Sequence, residues 1–298
     1  MDFTDFTAGT NDGGRRVDRI IKQILKDNPQ VNIYAALRKK LIKVNGGRAS
    51  SDTRIQEGDV LSIASFLIPE SKGDKEDTPP RILPEDFKTL FKNEHLWLIN
   101  KAYGISVQPA KGEAADIASI IASAGVPDAS LAFRPAPLHR LDKYTTGVLA
   151  ISQSLSGATW FSKALQEHVI GKTYFGIAKG RLLHEELWED DIAGKAAHTR
   201  ASPQGFGHYL QWEFSFVRFT IGTGRKHQIR EQSAIHGHPL LGDKLYGSTC
   251  PLPASRAYFL HAGELEAPAD NSVGLPALIQ APFPMEFSDF IERYAHIR

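Results

Sequence analysis

"HRLDKYTTG" occupies residues 139–147, and its reading decides what the rest of the chain is. It places an imidazole, a guanidinium and a carboxylate within four residues, then two threonines, a glycine and the apolar run "VLAIS". A lone Asp after Arg-Leu is most often a surface ion pair or a turn residue. Asp142 is therefore open to two readings, a surface acid or the working group of an enzyme. An arginine beside a carboxylate favours its ionised form, which is the state a nucleophile or base needs.

Two more stretches share this mixture of small residues, fixed charges and β-rich flanks: "KTYFGIAKG" (172–180) and "GTGRKHQIREQSAIHGHPLLGDKLYG" (222–247). Tyr174 offers a flat ring and a hydroxyl. Arg225, Lys226, His227 and Arg230 form a cluster of donors suited to phosphate or carboxylate. "GDKLYG" reads as a turn, with Asp243 in a structural role. His227, His236, His238 and His261 lack the spacing of a metal site, and the single cysteine, Cys250, adds nothing to one. Hydrogen-bonded structural histidines are expected instead, with His139 anchoring the motif loop.

Further out, the chain divides by composition. Residues 1–14 are polar, Gly-rich and without periodicity, and read as a disordered tail. Residues 15–68 read as a compact basic module. Val17, Ile20, Ile21, Ile24 and Leu25 follow helical spacing, with Arg16, Arg19, Lys22 and Lys26 on other faces. A second short helix, 33–41, carries Arg38, Lys39 and Lys40. "IKVNGGRA" predicts a hairpin turning at Asn45-Gly46, and "EGDVLSI" a final strand. Residues 15–64 hold 11 Lys or Arg against 5 Asp or Glu, while the whole chain of 298 residues carries a net charge of only +1. That asymmetry suits either a solvated basic face or nucleic-acid contact. Residues 69–86 are rich in Pro and charge and read as a linker. Residues 87–298 form the larger domain, in which strands outnumber helices and no βα alternation appears. The expected class is α+β, with a mixed, largely antiparallel sheet. A short helix is expected near 115–124, strands at 148–152 and 172–180, and a helix with Trp160, Phe161, Ala164, Leu165 and His168 on one face. "HYLQWEFSFVRFTI" (208–221) reads as one long β-rich stretch.

With 42% apolar and 23% charged residues, the chain can bury a sizeable core. It has no apolar run long enough for a membrane helix, and its acidic N-terminus does not read as a signal peptide. A cytoplasmic monomer is the expectation. No phosphate-cradling Gly-rich loop, dinucleotide fingerprint or metal-ligand spacing is visible, so no cofactor is expected.

Taken in order, the motifs closely resemble the RluA family of RNA pseudouridine synthases. That family's hallmark is His-Arg-Leu-Asp, two residues, then Thr-Ser-Gly, matched here by 139–147. Gly-Arg-x-His-Gln-(Ile/Leu)-Arg stands as Gly224 to Arg230, and "GHPLLGDKLYG", "KTYFGIAKG", "NKAYGISVQP" (100–109) and "YFLHAGEL" (258–265) follow further family patterns. The resemblance covers about residues 87–290. Residues 15–64, with "VNGG" and "EGDVLSI", resemble the S4 RNA-binding domain, an arrangement similar to the RluC and RluD branch. Four departures stand out: Thr146 for the usual Ser, Ala102 for Pro, Gln232 for His, and a longer, Pro- and Ala-rich segment at 266–280.

The resemblance implies isomerisation of uridine to pseudouridine in RNA, without cofactor or metal, on ribosomal RNA or alternatively on transfer RNA. A non-catalytic RNA-binding assembly protein of the same fold is the competing class. The resemblance makes Asp142 the catalytic aspartate, attacking C1′ or removing the C2′ proton. It pairs Arg230 with Asp142 and stacks Tyr174 on the uracil. Arg140, Arg225, Arg16, Arg19, Arg38, Lys39 and Lys40 would contact RNA.

Overall fold

A computed structural model describes residues 1–68, 86–109, 115–123, 130–252 and 256–297. The described chain forms two compact units. One comprises residues 1–83, 120–136 and 154–156; the other comprises 84–119, 137–153 and 157–298.

The first unit is a four-stranded antiparallel sheet with two helices. Its elements are β1 (Phe3–Thr7), α1 (Val17–Ile24), α2 (Ile33–Arg38), β2 (Ile42–Val44), β3 (Gly47–Arg48) and β4 (Val60–Ala64), with strand order β1-β4-β2-β3. The helical apolar stripe does what its spacing demands: Val17, Ile20 and Ile21 are fully buried against Ile42, Ile55, Leu61 and Ile63. Asn32 caps α2 by accepting a hydrogen bond from the Ala35 N–H at 2.9 Å.

Two expectations change here. Residues 1–14 are not a tail: Phe3–Thr7 pair with Val60–Ala64 across five residues, and Phe6 packs on the core. Asp12 is fully buried and accepts hydrogen bonds from Gly9, Ser130, Leu131 and Ala132. The unit also recruits residues 120–136, assigned above to the larger domain. The predicted linker lies outside the described residues apart from Asp86.

The second unit is built on a ten-stranded sheet. Its elements are β5 (Thr89–Lys92), β6 (Leu96–Lys101), α3 (Ile117–Ser123, which runs into the first unit), β7 (Thr146–Ser152), α4 (Leu155–Gln166), β8 (Gly171–Lys179), β9 (Glu186–Ile192), β10 (Lys195–Tyr209), β11 (Trp212–Ile221), α5 (Gln228–Ile235), β12 (Leu260–Glu266), β13 (Leu278–Gln280), α6 (Met285–Tyr294) and β14 (Ala295–Ile297). The order is β14-β10-β11-β8-β12-β7-β6-β5, with β9 beside β10 and β13 beside β12. Among the described strands, only β7 and β12 pair in parallel. The fold is thus α+β on a mixed, largely antiparallel sheet.

β7 is buried along its whole length, as expected for a central strand covered on both faces. α4 sets Phe161 and Ala164 against Leu96, Leu98, Val148 and Ala150. The helix ends before His168, whose positive φ places it past the turn. α6 lays Phe287, Phe290 and Ile291 over Ile177, Phe214, Phe216 and Phe259. The β-rich stretch 208–221 is the turn and return arm of a hairpin: β10 ends at Tyr209, Leu210 turns at φ 53°, and β11 returns. The long 266–280 segment closes on Asn271, which bonds the Leu275 N–H and two carbonyls and buries Val273 and Leu275.

Candidate active site

The HRLD stretch is a loop leading into β7, and His139, Leu141 and Asp142 are each tied down. The His139 Nε2 accepts the Ala150 N–H at 3.0 Å. That bond needs a neutral ring, and burial, aided by the charge of Lys172, lowers the His139 pKa to about 4. Leu141 is buried. Asp142 opens a turn in which the Thr145 N–H donates to its carbonyl. The Lys143 carbonyl accepts from the Lys101 Nζ at 3.0 Å and from the Gly104 N–H. Lys101, itself buried, also donates to the carbonyls of Ala102 and Ile105, so the "NKAYG" turn braces the Asp142 loop.

The closing Thr-Thr-Gly has equally definite roles. The Thr146 hydroxyl lies 2.8 Å from the His261 Nδ1, whose Nε2 meets the Ala281 carbonyl at 3.0 Å. The hydroxyl that Thr shares with Ser is the part used. Burial lowers the His261 pKa to about 4, so Nε2–H donates and Nδ1 accepts. Gly147 has φ +111°, and a Cβ there would stand 2.1 Å from the Ala262 carbonyl oxygen on β12. Only glycine fits that crossing.

Across the cavity, "GTGRKHQIR" forms a turn clamped by Gln228. Its Oε1 accepts from the Thr223 hydroxyl and the Arg225 N–H, and its Nε2 donates to the His198 carbonyl and Thr199. His227 starts α5 in the left-handed region, at φ 57°, a conformation that non-glycine residues adopt at a cost. One turn on, Arg230 points back towards Asp142.

Arg230 is 7% exposed and joins two carboxylates. Its Nε and Nη2 grip Asp243 at 2.6 and 2.9 Å, and its Nη1 reaches Asp142 Oδ2 at 3.2 Å. Burial opposes its charge, but Asp243, Tyr258 and Asp142 more than offset this and leave it firmly protonated. The expected Arg230–Asp142 pair is therefore present but is the weaker of two. Asp243, read from sequence as a turn residue, holds the guanidinium bidentately and orients it. No periodicity links the two residues, because the chain between them turns through "HGHPLLG".

The other oxygen of Asp142 faces His227, with Nε2 at 3.6 Å, and the His227 Nδ1 is fixed by the Tyr246 hydroxyl at 3.0 Å. Burial lowers the pKa of His227, the nearby Arg230 and Lys226 charges add to that, and Asp142 opposes it. Tyr174, on β8, is buried and lines the same recess as Asp142, Thr145, Ile229 and Leu260. Burial, then the charge of Asp142, raises its phenol above the ordinary range. Tyr258 packs its ring 4.4 Å from the Arg230 guanidinium.

Asp142, His227, Arg230, Asp243 and Tyr258 open into a cavity of about 790 Å3, also lined by Arg140 and Lys226, a size suited to a nucleoside-sized ligand, whereas Tyr174 lines the adjoining recess. Arg140 and Arg225 are exposed and border adjoining recesses with Lys172. Arg225 is aimed by a bond from its Nε to the Ala196 carbonyl. Gln232 lies apart from this cavity. It is fully buried and donates to Asp190 and two carbonyls while accepting from Thr199, a structural role for the departure seen in the sequence. The histidines are dispersed too: His236 sits on Asp190 and Trp188, and His238 on the Lys179 carbonyl.

The other predicted RNA-contacting residues are in the first unit. Arg19 is exposed on α1, and together with Lys22 on the same helix and Lys26 just past its end, neither of them a predicted contact, it borders a groove of about 1170 Å3. Arg16 borders it as well, but its charge is already met by Asp18 at 2.8 Å. Arg38, Lys39 and Lys40 are exposed at the end of α2, away from the groove-lining residues.

The fold that carries this carboxylate and its arginine has counterparts among solved structures. Two solved structures share it: Human RNA Pseudouridylate Synthase Domain Containing 4 (TM-score 0.54, 20% identity, 69% of this chain and 92% of that one) and Domain Containing 1 (TM-score 0.54, 18% identity, 72% and 90%). Residues 95–234 match the RNA pseudouridylate synthase family, and this stretch of the chain is an RNA pseudouridylate synthase domain. Similar proteins include ribosomal large subunit pseudouridine synthase D of Nitrosomonas europaea, 25% identical over 97% of this chain and 87% of the relative. Its counterpart in Haemophilus ducreyi is 28% identical over 94% and 90%, and synthase C of Pasteurella multocida is 27% identical over 81% and 77%.

Proposed function

We propose that this protein converts uridine to pseudouridine in large-subunit ribosomal RNA, with Asp142 as the catalytic group. The observation that carries the reading is the Asp142–Arg230–Asp243 cluster at the cavity, whose Asp142 and Arg230 fall within the matched residues 95–234. The names of the similar proteins support ribosomal RNA as the substrate.

The reaction moves no atoms on balance between substrate and solvent other than protons. The N1–C1′ bond breaks, the uracil turns, a C5–C1′ bond forms, C5 loses its proton and N1 gains one. Asp142, held by Arg230, either adds to C1′ as the uracil departs or takes the C2′ proton. Both routes need a carboxylate that stays aimed while charge builds on the base. Tyr174 supplies a flat, dry surface for the extruded ring, and His227 orients the second oxygen of Asp142. Arg140 stands at the cavity edge, where a phosphate or the vacated stack would lie. The first unit, S4-like in its sequence, supplies salt-dependent backbone contacts through Arg19, Lys22 and Lys26.

Because C5 loses its hydrogen, the test is release of tritium from RNA labelled at uridine C5. Purified protein is expected to release it from large-subunit ribosomal RNA. Release confined to transfer RNA would move the substrate, and no release from any RNA would remove the enzymatic reading.

A further inference from the structure

Beside Asp142 the cavity wall carries a braced row of aromatic rings that the mechanism above does not use. Tyr144, two residues after Asp142, is 36% exposed on that wall. Its ring lies 5.1 Å from that of Tyr103, tilted 34°, and meets Tyr258 edge-on at 6.2 Å. Tyr258 in turn rests on Arg230. At the far end, the Arg256 guanidinium sits 4.4 Å from the Tyr103 ring centre and is fixed by Glu286 at 2.9 Å. The Tyr103 hydroxyl accepts the Ala257 N–H. Every ring in the row is therefore held before any ligand arrives, and the most exposed of them on the cavity wall is Tyr144.

An exposed ring that is already ordered is poor core material and good stacking material, since little side-chain entropy remains to be lost on binding. The ligand follows from connectivity. A uridine seated at Asp142 is covalently flanked by two nucleotides, so their bases are tethered near Tyr144. Extruding the uridine also strips those neighbours of a stacking partner. We propose that Tyr144, backed by Tyr103, is a stacking subsite for the unpaired base adjacent to the target uridine. Lys143, Lys226 and Lys244 line the same cavity and would meet the accompanying phosphates. Stacking accepts any base, so this subsite selects an unstacked strand rather than a sequence. The inference rests on the reading of the cavity as a uridine site.

The test uses short RNA substrates with an abasic residue placed on either side of the target. Tyr144→Ala is expected to raise KM about tenfold or more and to leave the saturating single-turnover rate unchanged, with Tyr144→Phe restoring KM. One of the two abasic substrates should reproduce that loss in the wild type, and Tyr144→Ala should make it no worse. Equal KM for Tyr144→Ala and wild type, or losses that add on both abasic substrates, would overturn the subsite. Binding is read separately, as quenching of 2-aminopurine at each flanking position in the Asp142→Asn background. Quenching that Tyr144→Ala abolishes supports the platform even where turnover is absent, and no quenching at either position contradicts it. A wild type that quenches but releases no tritium would instead indict the catalytic reading.

Discussion

In the second unit Arg230 is 7% exposed and gripped by Asp243 and Asp142; in the first, Arg19 and Lys22 stand exposed on α1 and Lys26 just past its end. The same formal charge does different work in the two places. A buried, bidentate guanidinium is a fixed dipole that aims another group, and removing it strands a carboxylate. Exposed cations hold no geometry, contribute little to stability and act at a distance on a polyanion. The contrast assigns orientation to one region and affinity to the other, and it can be broken experimentally.

The largest effect is expected from Arg230→Met. It leaves Asp243 charged and buried without its partner, at a cost of about 3–5 kcal/mol, readable as a fall in the urea midpoint. A loss under about 1 kcal/mol would mean that the buried pair is not what holds this loop. Adding Asp243→Asn to Arg230→Met should recover part of the loss, because the stranded charge is then gone.

Acidification comes next. His261 is neutral in the folded protein, with a pKa of about 4 against an ordinary 6.5. The unfolded chain takes up the proton first, so stability from this site is complete above pH 6.5. It drains away as pH falls towards 4, by about 3 kcal/mol in all. His261→Gln should flatten that part of the stability profile. An unchanged slope in the variant would show that other groups set it.

Asp243→Asn is expected to cost about 1–3 kcal/mol, less than losing the arginine, yet to slow the chemical step because Arg230 is no longer aimed. Single-turnover rates measured at saturating RNA would show this, and a wild-type rate would confine Asp243 to stability. The smallest stability change, within about 0.5 kcal/mol, is expected from Arg19, Lys22 and Lys26 changed together to Gln. RNA affinity should fall, and its logarithmic salt slope should shrink by about two. A stability loss as large as that of Arg230→Met would erase the contrast.

What could be read in advance follows the range of the forces involved. The helical stripe of α1 and the sheet class were legible because periodicity and strand pattern carry them, and the pairing of Arg230 with Asp142 because the family resemblance implied it. Tyr174 was placed by its strand motif. Asp243 was read as structural, but its partner was not legible, since its pairing with Arg230 spans an irregular loop. β1 was missed because its partner, β4, lies far along the chain, and Phe3 and Phe6 do not alternate as a half-buried strand would. The recruitment of 120–136 into the first unit depends on Asp12 reaching Ser130, Leu131 and Ala132, a contact with no local signature. The pairing of Arg16 with Asp18 was within reach of the sequence, two residues apart, and it weakens Arg16 as an RNA contact.

The most direct measurement is single-turnover tritium release by Asp142→Asn at saturating RNA, with its unfolding measured alongside. Arg230 keeps both bonds to Asp243 in that variant, so the fold should be unchanged. An amide can neither add to C1′ nor take a proton, so the rate should drop on the order of 10^4-fold or more. A folded Asp142→Asn protein that still turns over at close to the wild-type rate would contradict the account.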